Sequence, residues 1–235
     1  MGMTPSRRGI GLIEWLRHDD PQNPGFTLGA GIRGEEMYIG HILENKPMEM
    51  KNFDTEAVAK VARRHLETIK EPRRRQVLQN FIDHAQAEAS GDYEALMATC
   101  SRKEQAYATY GSQFGAPQSY AELETHYRGL IEANIYIIHF EVEKLVVGDD
   151  ALAVEGLVHQ LYPGALLEPL FQIVVDDEDA VYQITKRTCV FFTFDEDGMG
   201  SGEQAYSDGP LTKEDIIKLA PDEVPELFHN NPLAS

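Results

Sequence analysis

Cysteine is nearly absent from this 235-residue chain: Cys100 and Cys189 are the whole complement, and neither belongs to a C-x-x-C pair. Two isolated thiols build no disulfide framework and suit a reducing compartment. Basic residues are also scarce, with 21 Lys and Arg against 39 Asp and Glu, a formal charge of -18. Such a chain repels phosphate backbones, so nucleic-acid binding would need a dense basic patch. The one basic run, Arg73-Arg74-Arg75, opens a helix and reads as its solvated face. No segment approaches the roughly 20 apolar residues that span a bilayer. Met1 to Arg8 are not followed by an apolar stretch of signal-peptide length. The expectation is a cytoplasmic protein with neither nucleic acid nor membrane as partner.

Hydrophobic residues make up 42% of the chain, enough for a substantial core. Residues 1–52 are rich in Gly and Pro, with short apolar patches at Ile10–Ile13 and Met37–Ile39, and read as an arm or small hairpin. From residue 53 the texture changes. Asp54-Thr55-Glu56 supplies an N-cap and first-turn acids for a helix carrying Val58, Val61, Ala62, Leu66 and Ile69. Pro72 opens a second helix with Val77, Leu78, Phe81, Ile82, Ala85 and Ala89 on one face, stopped at Gly91. Asp92 caps a shorter third helix. A short strand is expected at Tyr107–Gly111 and a helix after Ser119.

At Ile135 the hydrophobic period switches to two. Strands are expected over Tyr136–Val147, Ala151–Tyr162, Phe171–Val175 and Val181–Phe194, then from the Asp195–Gly198 turn to Tyr206. Thr212 caps a short C-terminal helix within an extension over residues 209–235. Helices followed by consecutive hairpins indicate an α+β domain over residues 53–208, its helices packed on an antiparallel sheet.

Several segments in order resemble the SnoaL-like, nuclear-transport-factor-2-like superfamily. Phe81-Ile82-Asp83-His84-Ala85 through Gly91-Asp92-Tyr93-Glu94-Ala95-Leu96 is similar to its opening helices. Val142–Val154 and Val190–Gly198, continued to Asp208, are similar to its hairpins. The resemblance implies a strongly curved sheet, a cone-shaped α+β barrel enclosing a pocket. The superfamily includes polyketide cyclases, ketosteroid-isomerase-like enzymes, epoxide hydrolases, cofactorless lyases and non-catalytic modules, so fold does not fix function. The cyclase acid/base Asp maps by counting onto Ala205, and its His partner onto Phe191. Neither replacement can move a proton, so that mechanism does not carry over.

Other motifs lack the context they require. Gly29-Ala30-Gly31-Ile32-Arg33-Gly34 matches G-x-G-x-x-G, but Pro21 and Pro24 precede it and Gly40 and Pro47 follow, so it reads as a loop. Asp195-Glu196-Asp197-Gly198 lacks the later ligands of a calcium loop and reads as a hairpin turn. Histidines are scattered without H-x-H or H-x3-H spacing, and no metal or other cofactor is called for. His139 and His159 fall on neighbouring strands as a cross-strand pair, structural or interfacial in the first instance.

What remains is acid/base chemistry in a largely apolar cavity. If Phe191 and Ala205 face inward, alternation brings in Arg187 and Glu203, an anion holder and a proton acceptor. The catalytic candidates are therefore Arg187, Glu203, Tyr107 and His139. Tyr110, Tyr127, Tyr162 and Tyr182, with Phe81 and Phe191, are the candidate substrate-binding residues, phenols being suited to an aromatic ligand's hydroxyl or oxyanion. The expected function is a cofactor-independent lyase or isomerase acting on a hydrophobic aromatic molecule, one instance being a deformylating lyase of lignin-derived diarylpropanes. The alternatives are a non-catalytic ligand-binding or interaction module and a dioxygenase small-subunit-like assembly role. A homodimer or small oligomer is expected, on the premise that Ile138, Phe140 and Val142 lie on the outer sheet face.

Overall fold

The computed structural model describes residues 46–103, 105–110 and 116–233. Most of the expected arm lies outside these residues, including both of its apolar patches and the Gly29–Gly34 loop.

Three helices come first and a fourth follows a short strand, and local chemistry explains their ends. Helix α1 spans Ala57–Leu66; Asp54 Oδ1 accepts the Glu56 amide just ahead of it at 3.1 Å. Pro72 occupies the first turn of α2 (Pro72–Ser90), where its missing N–H costs nothing, and Gly91 ends the helix at φ 67°, a conformation that favours glycine. The Asp92 side chain accepts the Ala95 amide to start α3 (Tyr93–Ala98). Ser119 does the same for Glu122 at the start of α4 (Tyr120–Glu132).

The strands are β1 (Ala108–Tyr110), β2 (Ile138–Val147), β3 (Ala151–Pro163), β4 (Val181–Phe194), β5 (Gly200–Ser207) and β6 (Ile216–Lys218). They form one open sheet in the order β1-β5-β4-β3-β2, with β6 pairing the first part of β4 and β1 alone running parallel to its neighbour. The architecture is the α+β cone expected, with the sheet left unclosed.

Three parts of the chain depart from expectation. Residues 171–175 form no strand: Phe171 ends a short helix, α5 (Leu167–Phe171), and Gln172 turns the chain away at φ 61°. Thr212 caps only a 3-10 turn, Lys213–Asp215, through a capping box; β6 follows, then the one-turn helix α6 (Glu226–His229). Finally, Phe140 and Val142 do not lie on an outer face. Phe140 is buried, and both join the cluster formed by Ala62 of α1, by Val77, Leu78, Phe81 and Ile82 of α2, and by Leu152, Val154, Val190 and Phe194 of the sheet. Ile138 is half-buried at the start of β2. The large exposed apolar residues sit elsewhere, at Tyr110, Val146, Val174, Phe191 and Tyr206.

One irregularity decides the site. β4 pairs β5 with Phe192 opposite Glu203 and Val190 opposite Ala205, but the register shifts between Thr193, which faces Gly202, and Phe194, which faces Gly200. Ser201 is thus the extra residue of a β-bulge. A count around the turn without it places every β5 side chain on the wrong face relative to β4. Phe191 faces away from the helices, 43% exposed, while Phe192 and Glu203 face α2.

Candidate functional site

Helix α2 carries a stripe at spacings of four, three and four: Val77, Phe81, His84, Glu88. The first two belong to the core, and the last two bring titratable groups onto the same face. His84 is buried, and Glu203 of β5 approaches it from the sheet, with His84 Nε2 3.4 Å from Glu203 Oε1. From α4, Tyr127 donates its hydroxyl proton to Glu203 Oε1 at 2.6 Å. The Tyr127 oxygen also lies 3.1 Å from His84 Nε2 and 3.1 Å from the Tyr107 hydroxyl. His84 Nδ1 contacts Thr99 Oγ1 at 2.8 Å, and Thr99 gives its own proton to the Leu96 carbonyl at 2.6 Å.

These contacts assign the protons. Thr99 has spent its hydrogen on Leu96, so it accepts from Nδ1–H. Tyr127 has spent its hydrogen on Glu203, so the Nε2 contact needs a second imidazole proton. His84 is therefore an imidazolium facing a Glu203 carboxylate. Burial works against both charges, and the pair overcomes it. Contact with the Cys100 side chain and with Glu203 raises His84 well above the usual imidazole value. The hydrogen bond and charge of His84, with the Tyr127 bond, hold Glu203 below the usual carboxylate range. Burial and the charge of Glu203 push the Tyr107 and Tyr127 phenols well up, so both stay protonated donors. Glu88, half-buried and without a side-chain hydrogen bond among the described residues, is pushed up to about 7 by burial and then by Glu203, with His84 pulling the other way. His126 of α4 packs beside Tyr127, its ring centroid 5.4 Å away, and burial lowers its pKa.

Glu203 Oε1 is committed to Tyr127 and His84, whereas Oε2 forms no hydrogen bond among the described residues, and the side chain is 28% exposed. It borders a narrow cleft lined by Asn80, Phe81, His84, Tyr107, Phe192, Phe194, Gly200 and Gly202, with a cavity of about 10 Å³. That is room for about one water. Asn80 gives its amide N–H to the Thr99 carbonyl at 3.0 Å, and its buried Oδ1 has no hydrogen-bond partner among the described residues. Phe81 and Phe192 meet edge to face at 4.7 Å.

Of the residues singled out from sequence, Glu203, Tyr107, Tyr127 and Phe81 converge here. Arg187 lies on the opposite face of β4, gripping Glu143 and Glu155 at 2.7 Å each. It shares strand parity with Phe191, which faces away from the helices. Tyr110 and Phe191 are exposed on either side of Tyr206, which stacks on Tyr110 at 4.3 Å. Tyr162 packs against Phe171 in a separate cluster. Tyr182 holds the preceding turn, donating to Asp176 Oδ1 at 2.9 Å and the Asp177 carbonyl at 3.0 Å. His139 is buried beside His159 and Phe53, in a separate polar ladder. His84, Glu88 and Phe192 were missed. The stripe through Val77 and Phe81 was the available signal, since it places two titratable residues on an otherwise apolar helix face.

No protein-family model matches the sequence, and no curated protein matches it. Solved structures with a similar fold include a SnoaL-like protein from Shewanella putrefaciens assigned to the polyketide cyclases. It is 13% identical over 65% of this chain and 88% of that one, with a TM-score of 0.48. An NTF2-like protein from Anabaena variabilis is 11% identical over 60% and 94%, with a TM-score of 0.44. An LEH-like epoxide hydrolase from M. tuberculosis is 13% identical over 57% and 83%, with a TM-score of 0.41. Any activity has to be argued from the residues of this chain. No helix among the described residues is long and apolar enough to cross a membrane.

Proposed function

We propose that this chain is an acid/base enzyme of lyase or isomerase type, acting on a hydrophobic aromatic small molecule at the Glu203 cleft. The observation that carries the reading is the division of labour within one carboxylate. Oε1 is fixed by Tyr127 and His84, while Oε2 forms no hydrogen bond among the described residues and the side chain borders an aromatic-walled cleft. In the proposed step the substrate's C–H or O–H bond breaks, a new O–H bond forms at Oε2, and the electron pair stays on the substrate. The Tyr107 phenol, which lines the same cleft and stays protonated, would swing its one proton from the Tyr127 oxygen to the oxygen where that charge collects. His84 keeps the resting carboxylate ionised. Glu88, poised near neutrality, supplies or stores the balancing proton. A bulky substrate enters only if the Phe81, Phe192 and Phe194 side chains move apart.

That narrowness favours a second reading, a non-catalytic interaction module whose polar cluster is purely structural. One experiment separates the two. The protein is incubated with phenolic diarylpropane diols, polycyclic ketones and simple steroids, and products are followed by mass spectrometry. The enzyme reading expects turnover of at least one class, reduced about 10²–10⁴-fold in a folded Glu203→Gln variant. If no compound binds or is converted, the interaction module takes its place.

A further inference from the structure

His139 and His159 stand apart from the Glu203 cluster and play no part in the reaction proposed above. They pair across β2 and β3, with ring centroids 5.8 Å apart, and the row continues to Thr185 on β4 and, two residues further along that strand, to Gln183. His159, Gln183 and Thr185 are almost completely buried, and His139 is 8% exposed. The segment 46–54 lies over this row and is tied to it at both ends. Gln183 accepts the Met48 amide at 2.7 Å and donates to the Met48 carbonyl at 3.0 Å, with a further contact to Met50 Sδ. At the other end the Asp54 amide donates to His139 Nδ1 at 2.9 Å, and the Phe53 ring lies 5.8 Å from the His139 ring.

We propose that this histidine row is an acid-released latch, holding segment 46–54 on the sheet at neutral pH and freeing it when the histidines take up protons. The bond from Asp54 exists only while His139 Nδ1 is bare, because a protonated Nδ1 would set two N–H groups against each other. His159 is constrained likewise. Thr185 points its proton toward Gln183 Oε1 at 3.4 Å and so accepts from His159 Nδ1–H at 3.0 Å. That leaves His159 Nε2 buried without a hydrogen-bond partner. A charge on either ring faces the other ring.

The surrounding charges set the balance. On the segment and the start of α1, Asp54 is held by Lys60 at 2.8 Å, and Lys60 also reaches Glu56 at 3.6 Å. On β2, Glu141 lies 3.7 Å from His159 Nε2. Asp54 and Glu141 favour protonated rings, but burial outweighs them and lowers both histidines. The sign follows. With the segment attached, the row prefers the neutral form; with it detached, the rings return toward their ordinary value of about 6.5. Attachment is therefore strongest above that value and weakens as pH falls through it. The segment also borders an open groove of about 530 Å³ against Asp222–Pro225, and its Met50 and Phe53 pack against the adjoining hydrophobic cluster, so the histidine row and this apolar contact together hold it.

Amide hydrogen exchange on the full chain tests the latch, with rates corrected for the intrinsic effect of pH. Protection of residues 48–54 should fall about tenfold or more between pH 7.5 and 5.5, tenfold being the effect of one pKa unit, while α2 amides keep theirs. His139→Asn, whose side-chain oxygen can accept the same amide without titrating, should reduce the change to the share that His159 supplies. Unaltered protection in the wild type, or an equal fall in the variant, overturns the proposal. Should the variant fail to fold, NMR titration of wild-type His139 decides instead. A midpoint matching the loss of protection supports the latch, and a mismatched one refutes it.

Discussion

Glu203 and His84 exchange two unfavourable burials for one charged pair, and the consequences can be stated residue by residue. Removing one member of a buried pair strands the other and costs about 3–5 kcal/mol. His84→Ala is therefore expected to lower the unfolding free energy by about that much in urea titrations near pH 7. Tyr127→Phe removes the bond to the carboxylate and the acceptor facing His84 Nε2 and Tyr107, and should cost at least about 1–3 kcal/mol. The pH dependence has two limbs. Glu203 is depressed in the folded state, so its contribution is present above the ordinary carboxylate value and lost as pH falls through its folded value. His84 is raised, so its contribution is full below about 6.5 and lost as pH rises through its folded value. Glu88 acts in the opposite sense to Glu203. Raised to about 7, it binds its proton more tightly folded than unfolded and penalises the fold as pH climbs toward that value. Glu88→Gln should raise Tm at pH 8 and leave it almost unchanged at pH 4, with about 2–4 °C expected for each kcal/mol recovered.

At the scale of elements, the bulge in β5 matters more than any helix. It is fixed by chain segments distant in sequence: the Gly200 amide donates to the Thr99 carbonyl at 2.9 Å, Ser101 N–H to Gly200 at 2.7 Å, and Ala106 N–H to Ser201 at 2.8 Å. The backbones are so close that a Cβ on Gly202 would stand 2.4 Å from the Ala106 carbonyl oxygen. Gly202→Ala should accordingly destabilise by about 1–3 kcal/mol, the usual cost of overpacking. A paired test reads the register directly. Phe191→Ala, on the exposed face, should stay within about 0.5 kcal/mol of wild type. Phe192→Ala, against Phe81, should cost about 3 kcal/mol. Comparable losses at the two positions would mean the register is wrong. The helices were legible in the sequence because Pro72, Gly91, Asp92 and Ser119 act locally. The bulge was not, because Ser201 is displaced by partners about 100 residues away; Phe191 was placed inward by a count from the acidic turn that does not sense the pairing with β5, and Arg187 by alternation from Phe191. Phe171–Val175 failed for a related reason: its apolar run fits either period, and only the turn at Gln172 decides between them.

Across the whole molecule, the order of helices and hairpins was readable, and so was an apolar interior able to hold a few polar groups. Tyr107 and Tyr127 could be placed near a cavity from the fold that the sequence resembled. Tyr162 and Tyr182 lie on neighbouring strands yet serve other clusters, which one strand's alternation does not reveal. Two distinct histidine systems coexist, one on helix α2 and one on the sheet. His84 is held charged beside Glu203, while His139 and His159 are held neutral beneath segment 46–54. Acid should therefore loosen segment 46–54 before it discharges Glu203. The ionised Glu203, bordering the cleft, is the feature on which the proposed chemistry depends. Its most direct test is a carbon-13 NMR titration of the Glu203 carboxyl in the wild type and in His84→Gln. The account predicts a midpoint below the ordinary carboxylate range in the wild type and a rise when His84 is replaced. A wild-type midpoint at or above the ordinary value, unmoved by the substitution, would contradict it.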